Sequence, residues 1–477
     1  MWFFDDLSLG TNRHFLVYLK GICDWGQKMD IGNRIEMFVD RQIIDIMDGC
    51  ELKLNHPVRK EKVLTFDQPW ESETSGYITV LDDDGIIRMY YRGITESIKD
   101  ESRAMVCYAF SEDGINFHRP NLGMHTFEGN KRNNIILKYS PECHNFTSFL
   151  DTKPGTPVSK KYKAVGGHER TGINKGKLYG LYSNNGVDWV RYSDEPVITD
   201  GMFDSQNVAF FDSNTGSYKC YARYFDNSHL ENPEPYHGVR AIKSFESEDF
   251  LNWSEPINNE YDVPYKEEFY TNATIQCPGA EHFYLSFPKR FIADRKRDFY
   301  IDMDGVSDAV FMSSRDGINW NRTFMEAWVR PGLDRRNWVN RNNMTALGII
   351  ETSEKEFSMY ISENYRTDTN GIRRLSIRKF GFASVNAGYE GGSFTTKPIT
   401  YNGDSLYINY STSAAGHIKI SLLDESGVQL TESPIIYGDE IFEKVDFGLS
   451  LGQYEGKPVR LRFELKDADI YAIKFGS

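Results

Sequence analysis

The first hypothesis about chemistry rests on four carboxylates, namely Asp204, Glu71, Glu363 and Glu169. Two carboxyl groups that face one bond can divide a hydrolysis between them, because one protonates the leaving oxygen while the other attacks or activates water. Asp204 precedes the polar Ser205-Gln206-Asn207, which can hold an ionised carboxylate, although an Asx turn at a strand start fits equally well. Glu71 follows Trp70, whose ring can desolvate the carboxyl and raise its pKa. Glu71 is therefore the expected acid, with a solvated loop carboxylate as the competing interpretation, and the other two are alternates.

A second set of side chains has the chemistry of ligand contacts: Arg92, His144, Arg223, Arg290, Asn272, Tyr270, Trp70 and Asn342. The arginines can hold hydroxyl groups, a carboxylate or a sulfate through paired hydrogen bonds. They can equally form salt bridges with neighbouring acids. His144 is a candidate for binding a hydroxyl or a central ion, and the rings of Trp70 and Tyr270 can stack on a ligand or belong to the core.

A short repeat indicates the elements that must position these residues. Ser, any residue, Asp or Asn, usually Gly, two more residues and then an aromatic residue recur at 111–117, 183–189, 247–253 and 314–320. The starts are 72, 64 and 67 residues apart, and the third copy has Phe250 where the others have Gly. The Asp-Gly or Asn-Gly pair predicts a tight turn, and the aromatic residue is expected to pack back into the sheet. We interpret this motif, called the box below, as structural.

Alternating segments accompany the boxes in five sets. They lie at 77–81 and 87–92, 146–150 and 162–166, 208–211 and 218–223, 273–276 and 282–287, and 345–350, 357–363 and 373–379. Several short strands at a period of about 65 residues predict the four-stranded blades of a propeller. We therefore predict an all-β chain, with a five-bladed β-propeller followed by a C-terminal β-sandwich.

The predicted boundaries place an N-terminal extension at 1–33, the propeller at 34–386 and the sandwich at 387–477. Residues 34–57 are expected to supply the outer strand that closes the ring. Inner strands of a propeller run in one sense, so their first residues meet at one mouth, together with the last residues of the second strands. The candidate residues named above come from those two positions, except Trp70, which directly precedes Glu71.

Composition excludes several classes of protein. There are 55 basic and 69 acidic residues, a formal charge of −14, which argues against nucleic acid or an anionic membrane surface as a partner. No apolar run is long enough to span a bilayer and no signal peptide is recognised, so a cytoplasmic location is expected. The six cysteines are widely spread and predict free thiols. No cofactor is expected, although a structural Ca²⁺ or Na⁺ in the central channel is left open.

The predicted architecture resembles the fructosidase and arabinosidase group of glycoside hydrolases, families 32, 43 and 68. Four segments are similar to uncharacterised bacterial members: Phe38-Val39-Asp40, Pro69-Trp70-Glu71, Met89-Tyr90-Tyr91-Arg92-Gly93 and Asp204-Ser205-Gln206-Asn207. The Trp-x-Asn-Asp-Pro and Arg-Asp-Pro motifs of invertase-type members are missing from the sequence. Glu142-Cys143 falls in the second blade, and Gln276-Cys277-Pro278 has an amide where an acid is needed. The family's catalytic residues are therefore not transferred to this chain.

The resemblance implies a bacterial glycosidase that cleaves oligo- or polysaccharides with a carboxylate pair in the propeller funnel. The alternative is a non-catalytic glycan-binding propeller. The two differ in whether two mouth carboxyls lie about 5–5.5 Å or about 6.5–9.5 Å apart, as retaining and inverting enzymes require. The sugar, the linkage and the oligomeric state stay open.

Overall fold

The computed structural model describes residues 28–95, 103–234, 236–263, 267–297 and 305–477. The chain is all-β, as predicted, and the helical turns in its described part are of the 3-10 type: Pro141–Cys143, Val158–Lys160, Arg335–Asn337 and Leu451–Tyr454. Two compact units are present. One spans Lys53–Ser384, and the other joins residues up to Leu52 with Val385–Ser477. This division differs from the predicted boundaries because residues 34–52 group with the C-terminal segment.

Five main sheets of mostly antiparallel strands and one three-stranded sheet follow one another along the larger unit, and we number the main sheets in chain order. Sheet 1 contains Gly76–Asp83, Ile86–Gly93, Met105–Ser111 and Ile135–Lys138. Sheet 2 contains Thr147–Leu150, Tyr162–Gly166, Arg170–Gly172, Lys175–Ser183, Val190–Arg191 and Ile198–Asp200. Sheet 3 contains Val208–Asp212, Ser217–Asp226, Val239–Ser247 and Ile257–Asn258. Each sheet begins at one of the predicted sets.

Sheets 4 and 5 complete the larger unit. Sheet 4 contains Ile275–Cys277, Ala280–Ser286, Met312–Ser314 and Asn319–Asn321, with Glu260–Tyr261 added in parallel to its last strand. A three-stranded sheet of Glu268–Phe269, Lys289–Ile292 and Val306–Ala309 accompanies it. Sheet 5 contains Ile350–Glu351, Glu356–Glu363, Gly371–Arg378 and Val58–Thr65.

The strand that completes sheet 5 comes from the start of the unit. Val58–Thr65 pairs with Gly371–Arg378, from Gly371 opposite Thr65 to Ser376 opposite Val58. The predicted closing segment, 34–57, ends just before this strand. Within that segment, Ile44–Asp48 instead pairs with Gly392–Thr396 of the smaller unit. The prediction was therefore wrong about which residues form the closing strand, which lies just after the predicted segment. Sheets 5 and 1 also meet directly, because Val80 N–H donates to Leu347 O at 2.7 Å.

The four boxes are structural turns, as predicted. In the first, Ser111 Oγ accepts hydrogen bonds from the backbone N–H of Asp113 and Gly114, and Asp113 Oδ1 accepts from those of Ile115 and Asn116. The backbone hydrogen bonds from Asn116 and Ile115, the two largest contributions, hold the pKa of Asp113 well below its usual range. Equivalent bonds occur in the other three copies.

Tyrosines connect three of the boxes to the neighbouring sheet. The hydroxyls of Tyr90, Tyr221 and Tyr360 donate to the carbonyls of Gly186, Gly317 and Gly114, respectively. These bonds join sheet 1 to sheet 2, sheet 3 to sheet 4, and sheet 5 to sheet 1. Glycine is required there because its φ is positive and a Cβ on Gly186 would lie 2.6 Å from the Tyr90 hydroxyl.

The third box differs because Phe250 takes the glycine position. Its φ of 71° matches the 71–77° of the three glycines, which is a strained conformation for a bulky residue. Phe250 is buried and packs edge-on against Phe149 and Tyr218, at 5.7 and 5.4 Å between ring centroids. An aromatic contact thus replaces the tyrosine hydrogen bond at this junction.

The smaller unit contains one hydrogen-bonded sheet of eleven strands. They are Met29–Gly32, Glu36–Met37, Ile44–Asp48, Cys50–Leu54, Ala383–Ala387, Gly392–Thr396, Ile399–Tyr401, Ser405–Asp424, Gln429–Glu432, Asp439–Lys444 and Val459–Gly476. Ser405–Asp424 is one continuous strand with a register shift between Thr412 and His417. Phe394 and Phe463 stack in its core at 4.5 Å.

The predicted N-terminal extension lies outside the described residues up to residue 27, whereas Met29–Gly32 pairs in parallel with Ile399–Tyr401. The described cysteines are free thiols, as expected, and four of them are buried: Cys107, Cys143, Cys220 and Cys277. Cys23 falls outside the described residues.

Candidate active site

One narrow cavity collects a residue from the segment before the first strand, or from its start, in each of the five sheets. Tyr77, His144, Asp204, Tyr270 and Arg341 line it in chain order, and Arg92 and Ile94 complete the lining. The cavity offers about 10 Å³ to the centre of a water-sized group, which is about the space that one water molecule needs. It therefore admits a small chemical group, and a larger ligand would extend outward from it.

The backbone around this cavity is strained in a repeated way. Positive φ angles occur at Tyr77 (55°), Asn145 (55°), Ala273 (42°), Arg341 (62°) and Asn343 (55°), all near the start of a sheet. Tyrosine, alanine and arginine seldom adopt this region, and such strain costs of order 1–3 kcal/mol per residue. Strain of this kind clusters at functional sites, and two of these residues, Tyr77 and Arg341, line the cavity.

Asp204 reaches the cavity, as the sequence predicted. Its Oδ1 accepts from Arg223 Nη2, and its Oδ2 accepts from Arg170 Nη2 at 2.8 Å. Both contacts are charge-assisted hydrogen bonds to the ionised carboxylate. Its side chain is 11% exposed, so the charge is held at the edge of the buried region.

Two tyrosines with different electrostatic surroundings face each other across the cavity. The side chains of Tyr77 and Tyr270 belong to one packed cluster with Met344. Burial, followed by the neighbouring Tyr270, raises the pKa of Tyr77 well above its usual value. Burial also acts to raise the pKa of Tyr270, but the positive charges of Arg341 and Arg223 outweigh it, so the pKa of Tyr270 is lowered. Of the pair, Tyr270 is the better proton donor.

Positive charge surrounds the Tyr270 ring. Lys289 Nζ lies 3.8 Å from the ring centroid, and the guanidinium carbons of Arg223 and Arg341 lie at 4.8 and 5.7 Å. Arg92 stands over the opposing Tyr77 ring at 4.5 Å. Such cation–π contacts place cations against the ring faces.

His144 is buried among these cations. Its ring lies 5.1 Å from that of His168 and 6.4 Å from that of Tyr77. Burial and then the charge of Arg92 lower the pKa of His144 well below its usual value. His144 is therefore a neutral imidazole near neutral pH, able to donate or accept a hydrogen bond but not to supply a positive charge.

Glu71, the predicted acid, does not line the cavity. Its carboxylate is buried and accepts from the Tyr91 hydroxyl at 2.6 Å and from Arg119 Nη2 at 2.8 Å. Burial raises the pKa of Glu71, although the charge of Arg119 opposes the shift. The direction of the predicted pKa shift is correct, but the structure does not bring Glu71 together with Asp204.

The two alternate carboxylates are also engaged elsewhere. Glu363 accepts from Arg59 and, at 2.7 Å, from Arg373 Nε. Glu169 accepts from the Tyr179 hydroxyl at 2.6 Å, a hydrogen bond that lowers its pKa. Neither is a lining residue, so within the described part of the chain Asp204 is the one carboxylate that lines the cavity.

The predicted ligand-contact residues divide into two groups. Arg92, His144 and Tyr270 line the cavity, and Arg223 lies directly behind Asp204. The other four are engaged elsewhere. Arg290 binds Asp308 and Glu267, and Trp70 Nε1 donates to Asn134. Asn272 Nδ2 contacts the carbonyls of Gln206 and Tyr221, and the Asn342 side chain accepts from Tyr365 N–H.

Tyr77 and Lys289 were missed as site residues in the sequence, and Arg341 was placed at the mouth of the funnel but not chosen as a ligand contact. Lys289 and Arg341 each adjoin a predicted residue, Arg290 and Asn342. Neighbouring residues of a strand point to opposite faces, so a one-residue error selects Arg290 in place of Lys289. The strand alternation was the available signal.

The lining does not suit the Ca²⁺ or Na⁺ considered for the channel, because Arg92 and Arg341 would repel a cation. Within the ranges given above, no cluster of three His, Cys, Asp or Glu side chains is arranged to hold a metal ion. The same ranges contain no helix with the length and apolar character needed to cross a membrane.

No protein-family model and no curated protein matches this chain. Among solved structures, it is similar to a complex of BT0996 with RGII, at 11% identity and a TM-score of 0.47, over 68% of this chain and 92% of that one. It is also similar to a putative glycoside hydrolase from Bacteroides ovatus, at 14% identity and 0.44, over 68% and 96%. A fructofuranosidase from Schwanniomyces occidentalis complexed with fructosylnystose matches at 10% and 0.38, over 87% and 98%. Glycoside hydrolases are thus among the proteins that this chain resembles in structure.

Proposed function

We propose that this chain is a glycosidase that cleaves glycosidic bonds of oligo- or polysaccharides at the cavity lined by Asp204 and Tyr270. The observation that carries the proposal is the convergence of five sheets on one cavity that contains a carboxylate held by two arginines and a phenol of lowered pKa. Strongly perturbed ionisable groups in a cleft are a physical sign of catalysis.

The proposal includes the fold. We take the five sheets as the blades of a five-bladed propeller and the eleven-stranded sheet as a sandwich folded over its own core. The succession of lining residues supports the first assignment, since each sheet contributes one in chain order. The hydrogen bond from Tyr360 to Gly114 and the pairing of Val58–Thr65 support ring closure.

Asp204 is assigned the role of ionised partner, as nucleophile or as base for water. Two arginines hold it, and each carboxylate oxygen keeps a lone pair free for chemistry beyond its hydrogen bond to an arginine. Tyr270 is assigned the proton transfer that was predicted for Glu71, because tyrosine can act as general acid and because it shares the cavity with Asp204. The polar groups and tyrosine faces of the cavity match the hydroxyls and ring faces of sugars.

The test is a screen of the purified chain on aryl-glycosides and oligosaccharides, with Asp204→Asn and Tyr270→Phe beside the wild type. Release of sugar that both variants lower by at least about 10²-fold supports the assignments. Azide should restore part of the rate to Asp204→Asn and none to Tyr270→Phe. Binding of a glycan without turnover by the wild type would favour a non-catalytic glycan-binding propeller and reject the enzyme.

A further inference from the structure

The charge of the cavity is opposite to that of the chain. The whole sequence carries −14, yet two arginines and one carboxylate line the cavity. That carboxylate, Asp204, is already paired with Arg223 and Arg170. A local excess of positive charge in an acidic protein is not a consequence of composition, and it generates a field that attracts anions.

Three of the basic side chains around the cavity lack a counter-charge. Arg92, Lys289 and Arg341 form no ion pair with a carboxylate in the described part of the chain. Arg290, beside Lys289, is neutralised by Asp308 and Glu267. Buried basic side chains are normally paired because isolated charges are expensive to desolvate. The contrast with Arg290 therefore marks Arg92, Lys289 and Arg341 as unusual.

Hydrogen-bond donors around the cavity are also unused. Within the described residues, Arg92 Nε, Lys289 Nζ and Arg223 Nε are buried and have no hydrogen-bond partner, and His144 Nδ1 is in the same position. Buried polar atoms are rarely left in this condition, and each costs about 1–3 kcal/mol. A group with several acceptor oxygens and a negative charge satisfies both deficits at once.

We propose that the bottom of this cavity is an oxyanion subsite, which receives the carboxylate or sulfate group of an acidic sugar. Arg92 and Arg341 contact the anion, Arg223 strengthens the field from behind Tyr270, Lys289 adds an unsatisfied amine beside the same ring, and His144 contributes one neutral hydrogen bond. The cavity has room for about one oxygen of such a substituent, so the rest of the anionic group and the sugar ring lie outside it. The claim that the anionic group belongs to a sugar rests on the proposed function, whereas the claim that the cavity binds an anion does not.

The test measures anion binding by the full chain through thermal unfolding, with sodium sulfate compared with sodium chloride at equal ionic strength. A ligand at ten times its dissociation constant raises the ratio of folded to unfolded protein about 11-fold. We expect this gain in the wild type and its loss in Arg341→Met, with partial recovery in Arg341→Lys. Arg460→Met is the matched control, because Arg460 is paired with Asp45 in the smaller unit, and it should keep the full gain. General stabilisation by sulfate occurs in all variants and cancels.

A second arm compares glucuronic acid, glucose 6-sulfate and glucose by calorimetry. We expect at least one acidic sugar to bind ten-fold or more tightly than glucose, and its identity tells carboxylate from sulfate. If Arg341→Met does not fold, Lys289→Met replaces it and should bind the same anion more weakly than the wild type. Equal gains in wild type and Arg341→Met, or equal binding of acidic and neutral sugars, overturn the subsite. Cleavage of neutral glycans without anion binding would reject the subsite alone, and anion binding without any cleavage would reject the glycosidase alone.

Discussion

Replacing Lys289 by Met should stabilise the protein, which is the opposite of what removal of a buried structural residue does. Lys289 is completely buried, its Nζ has no hydrogen-bond partner within the described residues, and its Nζ lies 3.8 Å from the centroid of the Tyr270 ring. Methionine has nearly the same length and volume, so packing is preserved. Removing an unsatisfied buried amine should raise the free energy of unfolding by about 1–3 kcal/mol near neutral pH.

The gain should depend on pH with a definite sign. Burial, then the charges of Arg341, Arg240, Arg223 and Arg366, lower the pKa of Lys289 well below its usual value. Between that lowered pKa and about 10.4, the unfolded chain binds a proton that the folded chain does not, so wild-type stability rises with pH by up to about 1.4 kcal/mol per unit. The advantage of Lys289→Met should therefore shrink as pH rises from 7 to 9.

Urea unfolding followed by tryptophan fluorescence measures this effect in the relevant unit, because six of the eight tryptophans lie between residues 53 and 384. Lys379→Met is the control, since Lys379 is paired with Glu351 at 2.7 Å. It should show no gain at pH 7 and no change in its difference from wild type between pH 7 and 9. A destabilised Lys289→Met, or an advantage that stays constant over this range, would refute the reasoning that Lys289 is a desolvated, unpaired amine.

Three further predictions concern catalysis and the fold. Asp204→Asn should lower turnover by about 10³-fold or more with little change in melting temperature, measured on a substrate identified by the screen; an unchanged rate would remove Asp204 from the mechanism. Glu71→Gln should instead leave turnover within a few-fold of the wild-type value. It should lower the free energy of unfolding by about 3–5 kcal/mol, because it breaks the buried ion pair with Arg119. A stable but inactive variant would restore Glu71 as the acid. Gly186→Ala should lower the free energy of unfolding by at least about 2 kcal/mol, because it adds backbone strain and displaces the Tyr90 hydroxyl. Gly216→Ala is the control, since Gly216 has a φ of 74° and nothing lies within 4 Å of an added Cβ, so only the strain should count. Equal losses of stability in urea unfolding would contradict the role of the tyrosine hydrogen bond.

The sequence predicts the order of the fold better than its connections between sheets. The boxes determine local turns through contacts within a few residues, such as Ser111 with Gly114, and these are visible in a single sequence. The closing strand depends on a pairing of Val58–Thr65 with Gly371–Arg378, about 310 residues away along the chain. Nothing in the local pattern separates that strand from Ile44–Asp48, which alternates as well but pairs in the smaller unit.

The candidate site shows the same limit at the level of single residues. Chain direction alone brings Asp204, Arg92 and Tyr270 to one cavity, and it also admits Arg290, Glu363 and Glu71, which the structure pairs with opposite charges. Whether an ionisable residue is neutralised depends on distant partners, such as Arg119 for Glu71, which lies 48 residues away along the chain. The alternation of polar and apolar residues in a strand does not indicate such a partner. The useful distinction is therefore between charges with a partner and charges without one. Lys289 and Arg290 are neighbours in one strand, and one is unpaired beneath Tyr270 while the other is held by two carboxylates. A fold that provides two carboxylates for Arg290 could provide a partner for Lys289 too, and the lack of one within the described residues is the strongest indication that this unpaired amine serves a ligand.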